Sequence, residues 1–167
     1  SIVGGTGNDT LTLADGSAYT LSLTGIEAVQ GGDGNDFLNG GTENDVILGQ
    51  SGDDIIRGGY GEDSIFGGAG NDIINAGDGN DVADGQGGDD TITGSDGDDT
   101  VRGGAGNDIV VGGDGNDVLQ GQGGRDTVLG GDGNDIVKGN GGTDLLAGGE
   151  GTNKFGVVGV DYDVSEI

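Results

Sequence analysis

The 167-residue sequence contains no proline, cysteine, methionine, tryptophan or histidine, and its five Lys/Arg stand against 31 Asp/Glu. Each absence removes a class of function. Without Cys there is neither a disulfide nor a thiolate centre, and without Cys and His neither a zinc site nor a Ser-His-Asp triad is expected. No run of 18 apolar residues occurs, so this segment is expected to insert no helix into a membrane. A formal charge of −26 repels phosphate backbones and anionic lipid, which excludes nucleic acid as a partner.

Acid and glycine are plentiful instead, with 45 Gly in the chain. So little apolar surface with so much charge of one sign predicts disorder, because burial cannot offset chain entropy. Glycine raises that entropy further. A chain of this composition orders only if something outside the sequence cancels its charge.

The glycines and acids are strictly periodic. From Gly31 the chain divides into nine-residue units without insertion: GGDGNDFLN, GGTENDVIL, GQSGDDIIR, GGYGEDSIF, GGAGNDIIN, AGDGNDVAD, GQGGDDTIT, GSDGDDTVR, GGAGNDIVV, GGDGNDVLQ, GQGGRDTVL, GGDGNDIVK, GNGGTDLLA and GGEGTNKFG. GGTGNDTLT, from Gly4, is an earlier copy. Position six is Asp until Asn153, position four is Gly except at Glu43, and position eight is Leu, Ile, Val or Phe except at Ala83. The 18 residues 13–30 span two units whose loops lack the motif, with Glu27 at position six; there Tyr19, Leu21 and Leu23 alternate with Thr20, Ser22 and Thr24, a strand pattern.

Repeats of this period indicate a solenoid. Glycines at positions one, two and four permit φ > 0 and turn carbonyls inward. The Asp at position six adds a carboxylate to those carbonyls. Hard oxygen donors of mixed charge suit calcium better than magnesium, which keeps its waters in a tight octahedron. Positions seven to nine read as a very short strand with position eight facing inward. Two units then make one 18-residue coil, and unit n stacks on unit n+2 at the strand spacing of about 4.8 Å.

Stacking aligns the acids in two columns. One holds Asp36, Asp54, Asp72, Asp90, Asp108, Asp126 and Asp144; the other holds Asp45, Asp63, Asp81, Asp99, Asp117 and Asp135 and ends at Asn153. Carboxylates about 5 Å apart repel by roughly 3 kcal/mol at an effective dielectric near 20. Divalent ions between consecutive loops reverse that sign, and about 11 ions in two rows bring +22 against −26. A merely solvated acidic face requires neither the nine-residue period nor the preceding glycines.

Tandem GGxGxDx-(aliphatic)-x resembles the RTX (repeats-in-toxin) hemolysin-type family, over Gly4–Gly156. The resemblance implies an all-β, right-handed parallel β-roll of about eight coils. It also implies calcium held by the position-six Asp of two stacked loops and by backbone carbonyls. At loops with the fullest motif those carbonyls belong to Gly31, Asp33 and Gly34; Gly67, Ala69 and Gly70; Gly103, Ala105 and Gly106; Gly112, Asp114 and Gly115; and Gly130, Asp132 and Gly133. It implies further that the chain is secreted unfolded by type I export, folds in extracellular calcium and serves the remainder of a larger parent protein. The start at Ser1, with no targeting segment before it, accords with such a piece.

Departures from the pattern set local expectations. Gln50, Gln86, Ser95, Gln122 and Asn140 replace Gly at position two, a mild change for residues supplying only a carbonyl. Glu43 is expected to strain its turn or flip it. Lys154 beside Asn153 weakens the last gap, and Ala83 underfills the core. Position-seven residues (Phe37, Val46, Ile55, Ile73, Val82, Ile109, Val118, Ile136 and Leu145) should point outward, either from strand propensity alone or as a stripe for lateral self-association. The roll is assigned to 1–156, with an irregular coil at 13–30. Residues 157–167 read as a cap over the last rung or as part of an export signal. No unit breaks the symmetry to build a pocket, so no enzymatic activity is expected of this stretch, whatever its parent does.

Overall fold

A nine-residue period cannot place every inward side chain on one sheet, because each unit contains its own reversal at positions four to six. Alternate units therefore fall on opposite sides. The computed structural model describes residues 2–3, 10–12, 20, 23–24, 28–156 and 162–163, and among these every regular element is a strand. The first sheet stacks Thr10–Thr12, Ala28–Asp33, Val46–Ser51, Ser64–Ala69, Val82–Gly87, Thr100–Ala105, Val118–Gly124, Ile136–Gly142 and Lys154–Gly156. The second stacks Phe37–Gly41, Ile55–Tyr60, Ile73–Asp78, Thr91–Asp96, Ile109–Asp114, Thr127–Asp132, Leu145–Glu150 and Tyr162–Asp163. A further pair joins Ile2–Val3 to Leu23–Thr24.

All the ladders are parallel, and the regular ones run at an offset of 18, as in Val82↔Thr100 and Thr91↔Ile109. The fold is thus a β-solenoid of about seven turns, the expected β-roll with 18-residue coils. Thr10↔Ala28 and Leu11↔Val29 keep that offset across the irregular interval. Tyr162↔Leu145 and Asp163↔Leu146 extend the second sheet, while the rest of the expected cap lies outside the described residues.

The strands are longer than the sequence suggested. They run through positions seven to nine and on through positions one to three of the next unit, so only positions four to six turn. Alternation along these six residues buries two positions rather than one. Position eight forms the core from Val29 through Ile92 to Leu146, each at most 1% exposed, and Ala83 is equally covered. The second inward position is position one, a glycine in all but one unit. Position seven lies on the outward side as expected: Val46, Ile55, Ile73, Ile109 and Leu145 are exposed, Ile73 at 53%, while Phe37, Val82, Val118 and Ile136 are half-buried.

Glycine's use differs by position. Positive φ occurs at positions two and four, as at Gly32 (102°) and Gly34 (127°), but not at position one. Position one needs glycine for room: a Cβ on Gly31 would lie 2.5 Å from Asp36 Oδ2 and 2.7 Å from the Gly49 carbonyl oxygen. Position-two substitutions are less mild than expected, because Gln50, Gln86, Ser95, Gln122 and Asn140 all adopt φ between 73° and 98°. Glu43 is not among the positive-φ residues. The preceding strand, Phe37–Gly41, is one residue shorter than the next of its sheet, Ile55–Tyr60.

Candidate metal site

Each Asp at position six ends a turn and points back into the roll beside its own position-one residue, a bare glycine Cα everywhere but at Ala76. The strands flanking the turn fix it from both sides. The position-seven N–H of the next coil bonds the Asp carbonyl, as in Ile73 N–H to Asp54 at 2.8 Å. The Asp amide itself donates to the carboxylate one coil further on: Asp54 N–H reaches Asp72 Oδ1 at 2.8 Å, and Asp72 N–H reaches Asp90 Oδ1 at 2.7 Å. The other column repeats this from Asp45 N–H to Asp63 Oδ1, both at 2.8 Å in the bonds Asp45–Asp63 and Asp63–Asp81. Both expected columns therefore exist as continuous hydrogen-bonded rows.

The rows are buried. Position-six Asp residues from Asp36 to Asp144 are at most 3% exposed. One carboxylate oxygen is satisfied by the neighbouring amide, but Oδ2 of Asp54, Asp63, Asp72, Asp81, Asp90, Asp99, Asp108, Asp117, Asp126, Asp135 and Asp144 lies buried with no hydrogen-bond partner. A buried oxygen of this kind costs free energy unless a cation or proton meets it. Burial is the main cause that pushes six of them up from 3.8: to about 7 at Asp54, Asp90 and Asp99, and to about 6 at Asp63, Asp117 and Asp126. The accepted amide pulls each back, and adjacent carboxylates raise it again. Asp72, Asp81, Asp108 and Asp135 are raised for the same leading reason.

Carbonyls join the carboxylates unevenly. Those of position one share the carboxylates' space: the carbonyl oxygens of Gly67, Gly103, Gly112 and Gly130 face the glycine–carboxylate pairs Gly49–Asp54, Gly85–Asp90, Gly94–Asp99 and Gly112–Asp117 of the coil before. Position-three carbonyls already accept an inter-coil bond, at Ala69 from Gly52 (2.8 Å), Ala105 from Gly88 (2.9 Å), and Asp114 and Asp132 from Gly97 and Gly115 (2.8 Å each). Position-four carbonyls, as at Gly34, Gly70, Gly106, Gly115 and Gly133, pack against the position-four glycine of the following coil. Among the described residues no three acidic side chains gather at one point, so each position would draw donors from two carboxylates and the backbone. Buried, unpaired carboxylate oxygens beside carbonyls are a donor set that fits a hard divalent cation. Asp9 and Glu27 lie outside the described residues.

Sequence reasoning missed a second ladder at position five. There a short side-chain oxygen accepts the position-five amide of the next coil: Asp53 N–H to Asn35 (3.0 Å), Asn71 N–H to Asp53 (2.8 Å), Asp89 N–H to Asn71 (2.7 Å) and Asn107 N–H to Asp89 (2.7 Å). On the other edge Asn80, Asp98, Asn116 and Asn134 do the same. The two ladders run in opposite senses, so each turn is held to both neighbours. The signal was the near-constant Asn or Asp at position five. Glu62 and Arg125 receive a partner but pass none on, since neither places a short acceptor there.

The model of the RTX calcium-binding nonapeptide repeat (4 copies) matches residues 1–17, 23–56, 48–83, 84–119 and 120–155. No curated protein matches the chain.

Proposed function

The chain belongs to the RTX calcium-binding nonapeptide repeat family, and on that premise we propose that it is a calcium-folded module whose ions lie along the two Asp rows. One row runs from Asp36 to Asp144 and the other from Asp45 to Asp135, with about 11 ions as an order-of-magnitude count, one per gap. Position-one carbonyls complete the sites, and those of positions three and four contribute where a lone pair is free. The bound ion neutralises and cross-links; the chain's own residues orient carbonyls and keep water from the carboxylates. Supporting the reading above all is the buried, unpartnered Oδ2 that recurs coil after coil.

The module is a segment of a larger secreted protein, exported unfolded by a type I route and ordered on meeting extracellular calcium, where it stabilises its parent. Circular dichroism during a calcium titration tests the coupling. A disordered spectrum in chelator and a β-rich one at calcium near the millimolar scale typical of extracellular modules are expected. A fully folded spectrum in excess EDTA overturns it.

A second reading draws on the outward face of the second sheet, where Ile55, Ile73, Ile109 and Leu145 are 39%, 53%, 45% and 42% exposed in one line at position seven. Such a stripe favours lateral self-association, as in a surface-layer or adhesive element. Sedimentation velocity separates the two: a monomer in calcium supports the single module, and calcium-driven oligomers support the assembly.

A further inference from the structure

From Gly31 onward, position one is glycine in every unit except AGDGNDVAD, where it is Ala76. Ala76 lies in the strand Ile73–Asp78, fully buried and part of the core. Its φ is not positive, so the backbone carries no strain there. The issue is space. In the same row, a Cβ added to Gly94 would collide with Asp99 Oδ2 and lie 2.7 Å from the Gly112 carbonyl oxygen; on Gly112 it would collide with Asp117 Oδ2 and lie 2.5 Å from the Gly130 carbonyl oxygen. Ala76 carries that methyl. Its position-six partner, Asp81, keeps Oδ1 on the Asp63 amide at 2.8 Å. With Oδ1 held there, room for the methyl comes at the expense of the position of Oδ2, which lies buried without a hydrogen-bond partner.

The same unit departs at a second place. Ala83, on the other side of the turn formed by residues 79–81, is the one small residue at position eight and is also fully buried. The unit thus has fewer inward carbons at position eight and one more at position one, shifted toward the carboxylate.

We propose that Ala76 makes the calcium position at Asp81 the weak link of its row, dividing that row into a segment at Asp45 and Asp63 and another from Asp99 to Asp135. This rests on the calcium reading above and assigns that site an internal boundary. Residues on either side share only a weakened ion bridge through Asp81, so the ion there exchanges first when calcium falls.

Release kinetics test it. The calcium-loaded wild type, Ala76→Gly and Gly94→Ala are checked for β structure by circular dichroism, then mixed with an excess of a chromophoric chelator in a stopped-flow instrument. The wild type is expected to lose a minority of its ions in a fast phase. Ala76→Gly should slow that phase by about tenfold, the lower end of what displacing a ligand's supporting group does to metal affinity. Gly94→Ala should enlarge it by creating a second such boundary. Wild type and Ala76→Gly releasing calcium identically would overturn the inference and leave calcium binding intact. A wild-type chain that releases no calcium at all would overturn the calcium reading itself, and this one with it.

Discussion

A single glycine at position one and a single Asp at position six define the chemistry, because the first makes room for the second. The cost is that burial pushes carboxyls of the rows up from their ordinary value, to about 7 at Asp54, Asp90 and Asp99. The sign follows from the direction of the shift. The folded-state values of Asp54, Asp90 and Asp99 are about 7, above the ordinary 3.8, so between these limits the folded chain binds more protons than the unfolded one. Without calcium, stability therefore falls as pH rises through about 7 and is regained as pH falls toward 4. Circular dichroism in EDTA should show more β structure at pH 5 than at pH 8, and the calcium midpoint should be higher at pH 6 than at pH 8. An apo chain equally disordered at both pH values would contradict this. Ser95 makes a second prediction at this scale: at φ 98° it is held outside ordinary L-residue conformations. Ser95→Gly should stabilise the loaded protein by about 1 kcal/mol in chemical denaturation, the relief of left-handed strain less glycine's entropy.

At the scale of the turn, two ladders of opposite sense tie each coil to both neighbours, and their continuity depends on short acceptors. Glu62 interrupts one ladder before Asn80. Glu62→Asn should restore a bond worth about 1 kcal/mol, seen as a raised denaturation midpoint in saturating calcium, whereas Asn116→Ala should cost a similar amount. Both substitutions acting alike would mean that the ladder carries no energy. Asp90 tests the inner row: it accepts from Asp72 and donates to Asp108, each within 2.8 Å. Asp90→Ala removes a carboxylate that faces two gaps and should raise the calcium midpoint. Ala83 is the one small, fully buried residue at position eight among the described coils, an underfilled core position. The buried methyl of Ala76 across the turn changes that expectation, so Ala83→Val should stabilise more in an Ala76→Gly background than alone, a coupling a double-mutant cycle measures.

Over the whole molecule, stability is a sum of rung and neighbour terms, so local defects remain local. Intact turns run from Asp45 onward, while the interval 13–30 lacks the loop motif and the turn at Glu43 shortens its strand. Limited proteolysis at subsaturating calcium should cut first within 13–43 and leave 45–151 protected. First cuts between Asp99 and Asp135 would show that motif integrity does not set local stability.

The sequence by itself determined the period, the coil length, the two Asp columns and the inward set at position eight, because each is a spacing, and in a parallel solenoid a spacing translates directly into a stack. It also determined the family, through the motif that fills those spacings. What only the tertiary structure decided concerns contacts between residues 18 apart. That position one is buried, and is glycine for the sake of a carboxylate rather than of φ, is set by the stacked coils, where Gly49 and Asp54 share one space with the Gly67 carbonyl of the next coil. The position-five ladder and the six-residue strands were hidden for the same reason: hydrogen bonds between coils set them, whereas a unit read alone shows polar residues in a loop. Ala76 was indistinct in the sequence because alanine for glycine is a small change there. Where the equivalent glycines of the row leave a Cβ no room beside the carboxylate, one methyl is a large change.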